Sequence, residues 1–332
     1  MKTPIFLKLV LLVSCSVVLW SCSENNDEAG QEAVDELRGT VSLDGSSTVY
    51  PISEAIAEEF LSVAPRVRVT VGVSGTGGGF KKFLSREIDI NDASRTIKNS
   101  EIEEARANGI DYLEIPVAFD GLSVVVNPNN TWVDYLTVDE LRMIWQPGSM
   151  VDSWDDIRPN WPQLPIRLYG PGTDSGTFDY FTESVNGESG ASRPDYTASE
   201  DDNVLVQGIS GDENALGFFG YAYYIENKEQ LKAIGVSPTD KVEDAVLPTD
   251  ATVESGEYAP LSRPLFIYVS HKALEKPEVA AFVDYYLESG QQYVKEVGYV
   301  SLNDSVVEEM KARIAAVKSD GEESTEEESS EE

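Results

Sequence analysis

Three short segments of the chain combine hydroxyl side chains, glycine and an imminent helix start. The first is Asp44-Gly45-Ser46-Ser47-Thr48, ahead of Pro51. The second is Ser74-Gly75-Thr76-Gly77-Gly78-Gly79, ahead of Phe80. The third is Thr173-Asp174-Ser175-Gly176-Thr177, ahead of Phe178. Each offers hydroxyl donors and unpaired backbone N–H groups at a helix N-terminus, where the helix dipole adds partial positive charge. Glycine lets the backbone close on a ligand and form concave nests of N–H groups. Such a turn favours a small oxyanion. One of them alone is ordinary helix capping, but three in one chain point to a shared site.

Other phosphate and nucleophile motifs fail on spacing. No GxxxxGK[ST] loop occurs, and the glycines around Gly77 do not complete GxGxxG because Phe80 and Lys82 stand where glycine is needed. Neither Ser74 nor Ser175 sits in GxSxG, and His271 is the only histidine. Both cysteines, Cys15 and Cys22, lie near the N-terminus, so Cys-based zinc sites and internal disulfides are not expected in the body. No cofactor and no metal are expected.

These turns need strands and helices to hold them. Short apolar runs at Thr40–Leu43, Arg66–Val73, Ile88–Ile90, Leu122–Val126, Ile166–Tyr169 and Leu265–Val269 read as strands. Helical patterns lie between them at 51–63, 80–86 and after Thr177, and two more, at 277–287 and 304–317, close the chain. Ser100 to Glu103 and Thr137 to Glu140 read as capping boxes. The alternation predicts α/β architecture with mixed, mainly parallel sheets. Its length predicts two lobes rather than one sheet. Lys81 and Lys82 read as solvated helix residues, and the aromatics of Asn214–Tyr224 as core.

The chain has 332 residues, with 25 Lys and Arg against 59 Asp and Glu, a net charge of −34. That balance argues against nucleic acid and against a basic membrane-binding patch. The body itself is strongly acidic, which suits a high-salt habitat. The two ends read as processing and tail segments. Residues 1–22 form an apolar export signal ending in Leu19-Trp20-Ser21-Cys22, similar to a bacterial lipobox with Cys22 as the lipidated residue. Residues 23–38 read as an acidic tether and 319–332 as a disordered acidic tail.

The strings DGSSTVYPI, VSGTGGGF, DINDASR, AFDGLSVVVNP, LTVDELRMIW, GTDSGTFDYF and ENALGFFGYAYY follow in order along the body. Together they resemble the PstS family, the phosphate-binding proteins of ABC-type phosphate importers. The resemblance implies a type II periplasmic-binding-protein fold with phosphate held dehydrated between two lobes. Residues 39–122 with 262–318 would form lobe one and 123–261 lobe two, with crossovers at Leu122–Asn127 and Pro264–Val269. Carried over by motif, Ser47, Thr48, Ser74, Thr76, Gly77, Ser175, Gly176 and Thr177 would bind phosphate.

Two departures from the family pattern bear on the charges. Some members have Asp where this chain has Arg95, and Arg shortly before the third turn where this chain has Pro171-Gly172. The cation is therefore expected to have moved to Arg95, whose planar fork can chelate two oxygens. The competing role for Arg95 is a salt bridge to Asp92 or Asp89. A buried carboxylate would accept the proton that phosphate carries and sulfate lacks. Asp120 is the first candidate, against simple turn formation with Gly121, and Asp92 is the second. The expected function is high-affinity capture of inorganic phosphate by a monomeric, lipid-anchored receptor and delivery to the membrane subunits of an ABC permease. The alternatives are another oxyanion such as sulfate or molybdate, a phosphate sensor or scavenger, and a phosphatase-like enzyme, which is disfavoured.

Overall fold

The computed structural model describes residues 37–330 except Asp174, with side chains described as far as Lys318 and Ser319. The segment read as an export signal, Cys22 and nearly all of the segment read as an acidic tether lie outside the described residues. Among the described residues there are eleven strands: β1 (Gly39–Gly45), β2 (Val67–Val73), β3 (Ile90–Ala93), β4 (Tyr112–Val126), β5 (Tyr135–Thr137), β6 (Arg167–Pro171), β7 (Thr197–Ser199), β8 (Ala215–Gly220), β9 (Lys232–Ala233), β10 (Gly235–Ser237) and β11 (Ser262–Ser270). Nine of them form one sheet in the order β2-β1-β3-β11-β4-β8-β6-β7, with β9 on β4, while β5 and β10 pair separately. The outer pairings β1–β2, β1–β3, β6–β8 and β6–β7 are parallel, and those through β11 and β4 are antiparallel.

Apolar residues divide into two groups of core. Val41, Phe60, Ile115, Ile267, Phe282 and Ile314 pack on one face of the β1-β3-β11 region, with Phe80, Phe83 and Tyr268 on the other. Leu122, Trp145, Trp154, Phe181 and Phe218 form the second core, backed by Leu205, Ile209 and Phe219. Each buried Phe or Leu stabilises its layer by roughly 1.5–3 kcal/mol. The chain is therefore an α/β protein of two lobes, each built on one part of the shared sheet with apolar residues packed on both of its faces.

Several element ends follow from local chemistry. The helix Val138–Trp145 is closed by a reciprocal box: Glu140 N donates to Thr137 Oγ1 at 3.0 Å and Thr137 N to Glu140 Oε2 at 2.8 Å. The box read at Ser100 is displaced. The helix starts at Asn99, and Glu101 accepts from Lys98 N at 2.8 Å. The closing helix Asp304–Ser330 continues past Val317 through most of the acidic run that composition marks as disordered. Glu is a good helix former, which lets the backbone carry on. No helix among the described residues is long and apolar enough to cross a membrane.

The two lobes share β4. Its first part pairs with β11 up to Gly121↔Ser262, and its last part pairs with β8 from Leu122↔Gly220. Asp120-Gly121, for which turn formation is the competing reading, is extended because β11 pairs with it. The partner of β4 thus changes from β11 to β8 between Gly121 and Leu122. Alongside that point, Phe119 N donates to Val300 O at 2.8 Å and Val300 N returns to Phe119 O at 3.0 Å.

Candidate functional site

The first turn leaves β1 and enters the helix Tyr50–Val63. Ser46 N donates to Asp92 O at 2.9 Å, and Thr48 N to Ser46 Oγ at 3.2 Å. Gly45 is required there, since its φ is +147° and a Cβ would stand 2.1 Å from Asp92 O. Thr48 is buried and Ser47 exposed.

The second turn is itself the first turn of the helix Thr76–Leu84, which begins four residues earlier than the Phe80 expected from sequence. Gly79 lets this helix lie against the first turn, because a Cβ on it would be 2.7 Å from Gly45 Cα and 1.9 Å from Asn91 Oδ1. Thr76 Oγ1 shares a hydrogen bond with Ser94 Oγ at 3.1 Å and accepts from Ser94 N at 3.2 Å. Ser74 donates its hydroxyl to Asp44, whose other oxygen takes Lys82 Nζ at 2.5 Å. Lys82 and Ser74 hold the Asp44 carboxyl below the usual carboxylate range, against the upward push of burial.

Arg95 stands beside the second turn. Its partner is Glu101 rather than Asp92 or Asp89: Nη1 donates to Oε2 at 2.9 Å and Nη2 to Oε1 at 2.8 Å. Nη1 also reaches Thr96 O at 3.0 Å, and the guanidinium lies 5.3 Å above the Phe80 ring. Nη2 gives one of its two N–H groups to Glu101, and it is 3.8 Å from where a Cβ on Gly77 would be.

The third turn belongs to lobe two. Ser175 caps the helix Gly176–Asn186, accepting from Thr177 N at 3.2 Å. Gly176 faces lobe one, with Thr48 Oγ1 3.7 Å from its Cβ position.

Between the first and third turns lies a pair of charges at the lobe boundary. Asp120 on β4 and Arg263 on β11 are direct cross-strand partners. Arg263 Nε and Nη2 donate to Asp120 Oδ2 at 3.2 and 3.1 Å, and Nη2 donates to Thr48 Oγ1 at 3.3 Å. The Tyr180 ring from lobe two covers the guanidinium at 3.6 Å, and its hydroxyl donates to Pro260 O at 2.9 Å. Nη1 of Arg263 donates to no atom of the described residues, which leaves two N–H groups of the fork uncommitted. Burial pushes the Asp120 carboxyl up, and Arg263 offsets part of that rise.

Thr48, Asp120 and Gly176 are thus brought together, joined by Arg263, which the sequence reading does not name. Its one sequence signal is a cation placed directly before the buried strand Pro264–Val269. Thr76, Gly77 and Arg95 form a second group, tied to the first through Gly79 against Gly45. Asp92 lies beneath the first turn, fully buried, with Ser53 Oγ donating to its Oδ1 at 3.0 Å. The aromatics of Asn214–Tyr224 are mainly core, with Phe218, Phe219 and Tyr221 buried. Among the described residues, no three His, Cys, Asp or Glu side chains stand together to hold a metal ion.

Comparison with known proteins places this geometry. Residues 30–289 match the model of the PBP superfamily domain. Over 291 residues the chain is 37% identical to the phosphate-binding protein PstS of Staphylococcus saprophyticus, covering 87% of this chain and 88% of that protein. The chain belongs to the PstS family. It is also 51% identical over 267 residues to Protein SphX of Synechococcus elongatus, which covers 80% of this chain and 78% of that one. Among solved structures, a possible phosphate binding protein from Planctomyces limnophilus superposes with a TM-score of 0.81 at 53% identity, covering 85% of this chain and 99% of the other. An ABC-type phosphate transport receptor from Vibrio cholerae shares the fold, with a TM-score of 0.64 at 22% identity over 80% of this chain and 100% of that one.

Proposed function

We propose that this PstS-family chain captures inorganic phosphate between its lobes and delivers it to the membrane subunits of an ABC permease. The observation that carries the reading is Arg263 Nη1. Its two donors, uncommitted among the described residues, lie where Thr48 of lobe one, Asp120 of the shared strand and Tyr180 of lobe two converge. Lobe one would comprise 39–122 and 262–318, and lobe two 123–261.

Arg263 presents a planar pair of N–H groups to two phosphate oxygens. Thr48 and Ser47 of the first turn, and Ser175, Gly176 and Thr177 of the third, add hydroxyls and helix-start N–H groups. Thr76 and Gly77, with the unshared N–H of Arg95 Nη2, supply a second set of donors, while the hydroxyl of Ser74 beside them is spent on Asp44. Both Arg263 bonds fall on Asp120 Oδ2, so Oδ1 can accept the proton of phosphate. Sulfate has no proton to give and would set acceptor against acceptor, which costs about 1–3 kcal/mol for a buried group. No bond is made or broken in this cycle. Export and attachment through Cys22 would hold the receptor, as a monomer, near its permease.

Calorimetry with phosphate, sulfate and molybdate tests the reading. Phosphate should bind most tightly, with sulfate at least about tenfold weaker by the cost of the unpaired acceptor. Sulfate or molybdate binding as tightly as phosphate refutes it in favour of another oxyanion, and turnover of a phosphomonoester refutes it in favour of an enzyme.

A further inference from the structure

Asp92 is a buried carboxyl for which the proposed capture of phosphate has no direct use. It lies on β3 between Gly45 of β1 and Ile267 of β11. Ser53 Oγ, from the helix Tyr50–Val63, donates to Oδ1 at 3.0 Å and shares a further bond of 3.0 Å with Tyr286 OH, from the helix Pro277–Leu287. Oδ2 is buried without a partner among the described residues. The charged group facing Asp92 is Asp44 of β1, which is committed to Lys82 and Ser74. Tyr286 faces it as a phenol held protonated by burial, and Ile267 is apolar. Among the described residues, no cation is bonded to Asp92. Burial, with Asp44 adding, pushes its carboxyl up to about 8.

The first turn rests directly on this residue. Ser46 N donates to Asp92 O at 2.9 Å, and the Gly45 Cβ position is 2.1 Å from the same oxygen. Ionising Asp92 therefore puts a negative charge on a buried side chain whose own backbone carbonyl holds the turn and whose Oδ1 is bonded by Ser53, in the first turn of the helix that the turn opens. There its repulsion of a bound anion is weakly screened.

We propose that Asp92 is a positioning residue that must remain neutral for the first turn to hold an anion, so that phosphate capture and protonation of Asp92 are thermodynamically coupled. This rests on the reading of the first turn as part of the phosphate site. By linkage, an anion that binds better above neutral Asp92 must raise the proton affinity of Asp92 by the same factor.

The test compares wild type with Asp92→Asn, measuring inorganic phosphate affinity by calorimetry at about pH 6.5 and about pH 9.5, on either side of the Asp92 transition. The wild type should lose about tenfold more affinity over this range than Asp92→Asn, as one added buried charge requires. A second measurement uses the wild type alone: its Asp92 carboxyl, followed by carbon NMR, should titrate at higher pH with phosphate bound than without. Equal pH dependence in the two proteins, or a titration unmoved by phosphate, overturns the role of Asp92 while leaving phosphate capture standing. Absence of phosphate binding at both pH values overturns both.

Discussion

Asp120 and Arg263 sit directly opposite each other on β4 and β11, at the point where the shared sheet passes from one lobe to the other. Their side chains pair at 3.1 Å, with 8% and 18% of each exposed. Removing one partner of such a pair leaves the other charge buried and uncompensated.

Arg263→Ala is therefore expected to cost about 3–5 kcal/mol of stability and to abolish measurable phosphate binding. The double variant Arg263→Met with Asp120→Asn should recover most of the stability and none of the binding. Thermal melts beside calorimetry separate the two effects. Recovery of phosphate affinity in the double variant contradicts the assignment.

Arg95 is expected to matter less. Its fork is held by Glu101, and only part of Nη2 is turned to the second turn. Arg95→Ala should weaken phosphate by about tenfold, the worth of one charge-assisted hydrogen bond. Unchanged affinity in a folded Arg95→Ala protein would remove Arg95 from the site and leave it a surface anchor for Glu101.

Asp92 gives a stability signature of definite sign. A carboxyl whose proton affinity rises on folding binds more protons in the native state, so stability falls as pH climbs from the unfolded value toward the folded one. The displacement from 3.8 to about 8 corresponds to roughly 5 kcal/mol at its upper end. Asp92→Asn should be close to wild type near about pH 4 and progressively more stable than it up to about pH 8. Denaturant titrations across that window check this; a constant difference rules it out.

The net charge of −34 opposes both compactness and the approach of an anion. At about 0.1 M salt the Debye length is already near 10 Å, and it shortens further as salt rises. Melting temperature and phosphate on-rate should both increase with sodium chloride. Stopped-flow binding and melts that stay flat from low to high salt would argue against an acidic surface suited to a saline habitat.

Much of this was readable from local residue order. Thr137 with Glu140, the proline-led helix Pro277–Leu287 and the three small-residue turns follow from capping and backbone chemistry within a few positions. Arg263 was not readable, because its partner is 143 positions away and is chosen by the register of two antiparallel strands. The extended state of Asp120-Gly121 is set the same way: its composition also allows a turn, and pairing with β11 keeps it in β4. Ser74 has the composition of a ligand hydroxyl, yet its donor goes to Asp44, which strand pairing brings near.

The shared strand has a mechanical consequence. β4 runs through 15 residues without a break, hydrogen-bonded along β11 and then along β8, with a register shift at Leu265/Phe266. Two lobes joined in this way are connected by a torsion bar rather than a swivel. Rotating one against the other would twist a bonded ribbon, and the register shift at Leu265/Phe266 lies within it. An anion held at Arg263, as proposed above, would sit on that ribbon next to the change of partner strand.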